Sequence, residues 1–211
     1  MRAVSWSVRE VATSVGPARL HRLGRALAGR PTLVLGHGAG GGVQAPDLQA
    51  LAVAASEAGC ACVLVEQPWR VGGGRIAPRP GVLDEAWVQS LRTLRPRGPV
   101  IVGGRSAGAR VACRTAVDVG ASAVLALAFP LHPPGRPDRS RAGELADCPL
   151  PRLVIQGTRD AFGSAAEVAA AVPSARVVEV PGADHTVRVD RLRPVLHEAV
   201  AFLVSVRGSS S

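Results

Sequence analysis

Short apolar runs alternate with longer amphipathic stretches along most of the 211-residue chain. The runs Thr32 to Leu35, Ala61 to Val65, Val100 to Val102, Ala123 to Ala128, Leu153 to Ile155 and Arg176 to Val180 have strand length. Most are too uniformly apolar to leave one face in water, which predicts parallel strands covered on both sides. The segments between them have helical spacing. Leu48, Leu51, Ala52, Ala55 and Ala58 share a face, with Pro46 near the start and Gly59 at the stop. Leu83, Trp87, Leu91 and Leu94 share another before Pro96, and Leu196, Val200 and Leu203 line a last helix. Ser164 and Glu167 have capping-box spacing, each side chain able to satisfy a free amide of the other's turn.

This alternation predicts an α/β fold, a predominantly parallel sheet with helices on both faces. Before residue 31 the pattern is weaker, and one or two antiparallel strands, Ala3 to Val11 and Arg19 to Leu23, are expected. Gln67 to Gly81 and Pro130 to Pro151 are read as long irregular segments. Each follows the carboxyl end of a strand, where open α/β sheets place their ligands. One domain over residues 1–206 is expected, with "RGSSS", residues 207–211, as a flexible tail.

Composition changes this picture little. The chain is 47% hydrophobic, enough to bury a core without disulfides or metals. A net charge of +9 would suit an anionic partner such as nucleic acid. The 25 basic residues are all Arg and are spread along the whole length, with only three Phe and three Trp and no basic run interleaved with aromatics. Solvated surface accounts for them better, so neither a nucleic-acid nor a membrane partner is expected. Cys60, Cys62, Cys113 and Cys148 form no C-x-x-C pair and lie near no histidine at ligand spacing, which argues for free thiols and against a metal. The first residues lack the apolar core of a signal peptide and no stretch approaches membrane-spanning length, so a cytoplasmic location is expected.

The chemistry concentrates in four short stretches. "TLVLGHGAGGG", Thr32 to Gly42, carries glycines at G-x-G-x-x-G spacing. A dinucleotide loop needs its third glycine to open a helix directly, yet Gly42, Val43, Gln44 and Ala45 intervene before Pro46. Glu66 also lies further on than the usual ribose ligand, about twenty residues past the glycines. A nucleotide cofactor is therefore not expected. "VIVGGRSAGAR" runs an apolar stretch into Gly104-Arg105-Ser106-Ala107-Gly108, the G-x-S-x-G pattern between strand and helix. Its glycines have a mechanical reason, because a Cβ at either place would collide with the neighbouring strand or helix. After "RLVIQ" comes "GTRDAFG" with Asp160, and after "RVVEV" comes "PGADHTV" with His185. Serine, acid and histidine thus follow one another at the carboxyl edges of successive strands.

On "LGHGAGG", "GGRSAG", "GTRD" and "GADH" the chain resembles a small α/β-hydrolase without a lid domain, of the kind related to dienelactone hydrolases and to the KANL/Tex hydrolase-like group. The resemblance runs from about Pro31 to the last helix. Ala161 stands where many relatives carry proline. It implies a serine hydrolase acting on a small acyl substrate, with Ser106 as nucleophile, His185 as general base, Asp160 as its orienting acid, and the amides of Ala39 and Ala107 as the oxyanion hole. Asp184, next to the histidine, is the rival acid, although adjacent side chains in a turn diverge. His37 is expected to brace its loop or touch substrate. Arg70 and Arg105, with Arg75 and Arg79, are candidates for binding a substrate carboxylate, since a guanidinium presents a planar fork to an anion. His21, His132 and His197 have no partner spacing. The rival function is a silent α/β-hydrolase-like scaffold that binds a partner.

Overall fold

A computed structural model describes residues 5–206 of the chain. Its core is one eight-stranded sheet in the order β1-β2-β4-β3-β5-β6-β7-β8. The strands are β1 (Trp6–Thr13), β2 (Gly16–Leu23), β3 (Thr32–Gly36), β4 (Ala61–Glu66), β5 (Val100–Arg105), β6 (Ala123–Leu127), β7 (Arg152–Gly157) and β8 (Arg176–Val180). β1 pairs antiparallel with β2, and β2 antiparallel with β4, while β4, β3, β5, β6, β7 and β8 pair in parallel.

All six apolar runs form strands; β3, β4, β5 and β7 reach beyond them, whereas β6 stops at Leu127 and Ala128 leaves it at φ 50°. Alternate residues of each strand enter opposite cores. Leu33, Leu35, Leu64, Ile101 and Ile155 pack under α1 (Pro46–Glu57), α7 (Val189–Leu192) and α8 (Leu196–Ser205). Val34, Val63, Val102, Val124 and Val154 pack under α3 (Pro80–Arg92), α4 (Ala107–Thr115) and α6 (Ala165–Ala171). Two-sided burial is why these strands read as continuous apolar runs rather than as alternations.

Three details differ from expectation. The N-terminal hairpin is longer, because Ser14 and Val15 make a two-residue turn that keeps Thr13 opposite Gly16. Gly16, at φ 117°, adopts a backbone conformation that L side chains rarely take. Of the expected start of the first strand, Ala3 and Val4 lie outside the described residues, as does the tail at 207–211, while Ser5 precedes β1. The two segments read as irregular contain helix: α2 (Pro68–Val71) and the first turn of α3 occupy the first, while a 3-10 turn (Pro137–Arg139) and α5 (Ala142–Ala146) occupy the second. Pro68 and Pro80 each sit in a first helical turn, where a missing N–H costs nothing. The buried stripe of α8 is Ala199, Phe202 and Leu203, with Leu196 and Val200 only half-buried. Ser164 and Glu167 form the expected reciprocal cap at the start of α6.

The four cysteines are free and buried. Burial pushes the Cys62 thiol up to about 12 and raises Cys113 as well, which keeps both protonated and unreactive. Among the described residues no group of His, Cys, Asp or Glu could hold a metal ion, and no helix is long and apolar enough to cross a membrane.

Candidate active site

The carboxyl ends of β3, β5, β7 and β8 meet at one rim of the sheet, and the four motifs lie there. Ser106 occupies the sharp turn between β5 and α4 at φ 52° and ψ −112°. This conformation is costly for a residue with a Cβ, so the surroundings must impose it. They do so by close approach of backbones: a Cβ on Gly108 would lie 2.3 Å from the Gly36 carbonyl oxygen, and one on Gly104 would lie 2.4 Å from the same atom. Sequence reasoning placed this constraint at both glycines, and it is β3 that supplies the obstacle. The Ser106 amide donates to the Leu127 carbonyl at 3.0 Å, which holds the turn against β6.

His185 reaches the serine from the turn after β8, with its Nε2 2.9 Å from Ser106 Oγ. On the other side of the ring, Nδ1 lies 2.9 Å and 3.1 Å from the two carboxylate oxygens of Asp160. The Asp160 side chain is fully buried and that of His185 is 18% exposed, so this pair is screened from water on the acid's side only. Asp184 turns away and accepts from the Thr186 amide at 2.9 Å. The carboxylate beside the histidine ring is therefore that of Asp160.

The two turns carrying acid and imidazole are fastened to each other. The Thr158 amide donates to the Val180 carbonyl, the Arg159 amide to the Ala183 carbonyl, and the Gly182 amide to Thr158 Oγ1. A Cβ on Gly157 would come within 2.3 Å of the Ala183 carbonyl oxygen, so glycine is needed for the approach. Two residues that sequence reasoning overlooked complete the support. Gln156, fully buried at the end of β7, donates from Nε2 to Asp160 Oδ2 at 3.0 Å and to the Gly163 carbonyl at 2.7 Å. Its Oε1 accepts from the Phe129 amide at 2.8 Å. A glutamine ending the apolar run "RLVIQ" was the available signal. Phe162, whose amide donates to Asp160 Oδ1, stacks its ring 4.1 Å from that of His185.

The loop after β3 brings Ala39 beside the serine. The amides of Ala39 and Ala107 have no acceptor among the described residues, and both residues line the cavity into which Ser106 opens. His37 is buried behind this loop. Its Nδ1 donates to the Gly38 carbonyl at 2.9 Å and its Nε2 accepts from the Gln67 amide at 3.1 Å. Those partners require the neutral ring, and burial pushes its pKa below the ordinary value of 6.5. His37 thus ties the loop to the end of β4 and does not face the cavity.

The cavity has a volume of about 920 Å³, within the range of small-molecule sites. Arg105 lines it, but its Nε lies 2.7 Å from Asp47 Oδ2, and its Nη2 donates to the His185 carbonyl. Its charge is matched and its fork joins α1 to the histidine turn. Arg70 is not on the cavity wall; it donates to the Gly74 carbonyl and lies over the Trp69 ring. Arg75 and Arg79 do not line the cavity either.

An eight-stranded sheet in this order, with a serine turn after β5 and no inserted domain between β6 and β7, defines a lid-less α/β-hydrolase fold. The sequence pattern of the alpha/beta hydrolase domain family matches residues 29–201, and the chain belongs to that family. Its fold is similar to that of a lid-less α/β serine hydrolase from Xanthomonas campestris, at TM-score 0.76 and 20% identity over 98% of this chain and 97% of that one. It is also similar to a dienelactone hydrolase from Anabaena variabilis, at TM-score 0.73 and 20% identity over 97% and 99% of the two chains. Est1E from Butyrivibrio proteoclasticus, solved with ferulic acid bound, aligns at TM-score 0.76 and 13% identity over 94% and 98%. No curated protein sequence shows significant similarity to the chain.

Proposed function

We propose that the protein is a serine hydrolase that cleaves a carboxylic ester or thioester through an acyl-enzyme. The observation that carries this reading is the unbroken contact from Ser106 Oγ through the His185 ring to Asp160, opening onto a cavity beside two unengaged amides. Ser106 Oγ attacks the acyl carbonyl while His185 Nε2 takes its proton, and the tetrahedral oxyanion receives hydrogen bonds from the Ala39 and Ala107 amides. Collapse expels the alcohol or thiol, protonated by His185, and leaves Ser106 acylated. Water then attacks the acyl carbon with the same imidazole as base, releasing the acid and restoring the serine. Asp160 holds the ring with its Nδ1 proton toward the carboxylate and stabilises the imidazolium formed in each half-reaction.

No cofactor is needed for these steps. The segment between β6 and β7 contains only a 3-10 turn and α5, which leaves the cavity open to small or well-exposed acyl groups. A panel of esters and thioesters of varied chain length tests the reading. Turnover of at least one class by the wild type, with loss in Ser106→Ala, is the expected result. An inert wild type with an intact fold would favour a scaffold that binds a partner.

A further inference from the structure

Four arginines, Arg105, Arg110, Arg141 and Arg188, line the cavity around Ser106. Three of them face a carboxylate. Arg105 pairs with Asp47 at 2.7 Å, Arg110 holds both oxygens of Glu144 at 2.6 Å and 2.7 Å, and Arg188 meets Asp190 at 3.1 Å. Arg141 has no carboxylate partner among the described residues. Its Nη1 donates to the Pro130 carbonyl at 3.2 Å and its amide to the Leu131 carbonyl at 2.7 Å, which fixes the residue at the head of α5 and leaves other N–H groups of the fork unused.

The surplus charge has a definite origin. Glu144, close to Arg141, already accepts from Arg110 and from Arg114, and Asp84 is taken up by Arg114. In this cluster three guanidiniums share two carboxylates, and the uncompensated one is on the cavity wall. Burial, and then the neighbouring charge of Arg110, push Arg141 below the ordinary arginine range. Glu144 opposes this only in part, so the fork's free N–H groups remain available to a planar anion in the cavity.

We propose that Arg141 makes the site selective for an ester or thioester whose substrate carries a carboxylate apart from the scissile bond. This rests on the hydrolase reading and specifies its substrate class. Neither Arg70 nor Arg105 fills that role, the first because it is off the cavity wall and the second because Asp47 already neutralises it.

The test compares the 4-nitrophenyl monoester of adipic acid with neutral 4-nitrophenyl hexanoate, by kcat/KM. The wild type should prefer the anionic ester, and Arg141→Gln should lower the anionic-to-neutral ratio roughly tenfold or more, the scale of a charge-assisted hydrogen bond. Arg141→Lys should keep part of the preference, because the charge remains while the fork is lost. Arg139→Gln, exposed and off the cavity wall, should keep the wild-type ratio. A ratio unchanged within twofold in Arg141→Gln overturns the proposal. Calorimetric binding of adipate provides a readout without turnover: Ser106→Ala should bind it at least tenfold more tightly than the Ser106→Ala, Arg141→Gln double variant, and equal affinities or no binding also overturn it. Hydrolysis with no charge preference would sink the Arg141 assignment alone. Adipate binding through Arg141, with no hydrolysis of either ester and no fluorophosphonate labelling, would sink the hydrolase reading.

Discussion

The serine turn and the histidine turn are held by different physics. Ser106 is placed by backbone contact: its positive φ is imposed between β5 and α4, with Gly104 and Gly108 pressed against Gly36 in the middle of the sheet. His185 is placed by hydrogen bonds among side chains and turns near the sheet's edge, through Asp160, Gln156 and the pairing of the two loops after β7 and β8. The position of Ser106 therefore depends on steric fit that no other residue can supply. The placement of His185 is distributed over several groups, each of which can be weakened by degrees. Disturbing the first should cost folding, and disturbing the second should cost rate.

The largest expected effect is on chemistry. Ser106→Ala should lower kcat by roughly a million-fold, and adding His185→Ala should lower it little further, because the two act as a unit. Single-turnover kinetics on a chromogenic ester would measure both. Asp160→Asn should cost about ten thousand-fold by favouring the wrong tautomer of the ring. Asp184→Asn should stay within a few-fold of wild type, since that carboxylate only closes its own turn; a comparable loss in both variants would contradict the assignment of the acid.

On the steric side, Gly108→Ala puts a Cβ 2.3 Å from the Gly36 carbonyl oxygen and should destabilise the protein by roughly 3 kcal/mol, at the upper end for overpacking. Urea unfolding measures it. Gln156→Leu removes the amide that spans Asp160, Gly163 and Phe129, and should cost about 1–3 kcal/mol by leaving buried groups unpaired. Its rate defect should exceed that of Gly108→Ala at equal folded fraction, since it loosens the acid rather than the nucleophile. The reverse ranking would undo the contrast between the two turns.

The smallest effect is on pH. His37 is buried as the neutral ring, with its pKa pushed below 6.5 by burial. Above pH 6.5 the residue is neutral folded or unfolded, and its contribution to stability is complete. As the pH falls through 6.5 the unfolded chain takes up the proton first, so stability is lost until the folded value is passed. Melting temperatures between pH 8 and pH 5 should fall more steeply for wild type than for His37→Gln. Equal slopes would mean that the ring is not held neutral.

Much of this was legible in the sequence for a physical reason. Strands buried on both faces must be apolar throughout, so β3 to β7 announce themselves, and a strained serine turn needs glycine on both sides. Edge elements lack that signature. β1 has one buried residue, Val11, and its limits depend on a turn rather than on a pattern. The short helices α2 and α5 are too brief for a period to show. The ion pairing of arginines could not be read either, because Asp47, Glu144 and Asp190 come from distant or unpatterned segments. In sequence Arg105 stands beside Ser106 with no carboxylate near it, and only the fold sets Asp47 against it; Arg141 lies in a segment with no periodic pattern.

In the proposed function, Ser106 is a nucleophile activated by His185 and Asp160. Intact-mass and peptide mass spectrometry after treatment with a fluorophosphonate test this most directly. One adduct on Ser106 is expected in the wild type, none in Ser106→Ala, and labelling slowed by orders of magnitude in His185→Ala. An unlabelled wild type, or an adduct on any other residue at the wild-type rate, would contradict it.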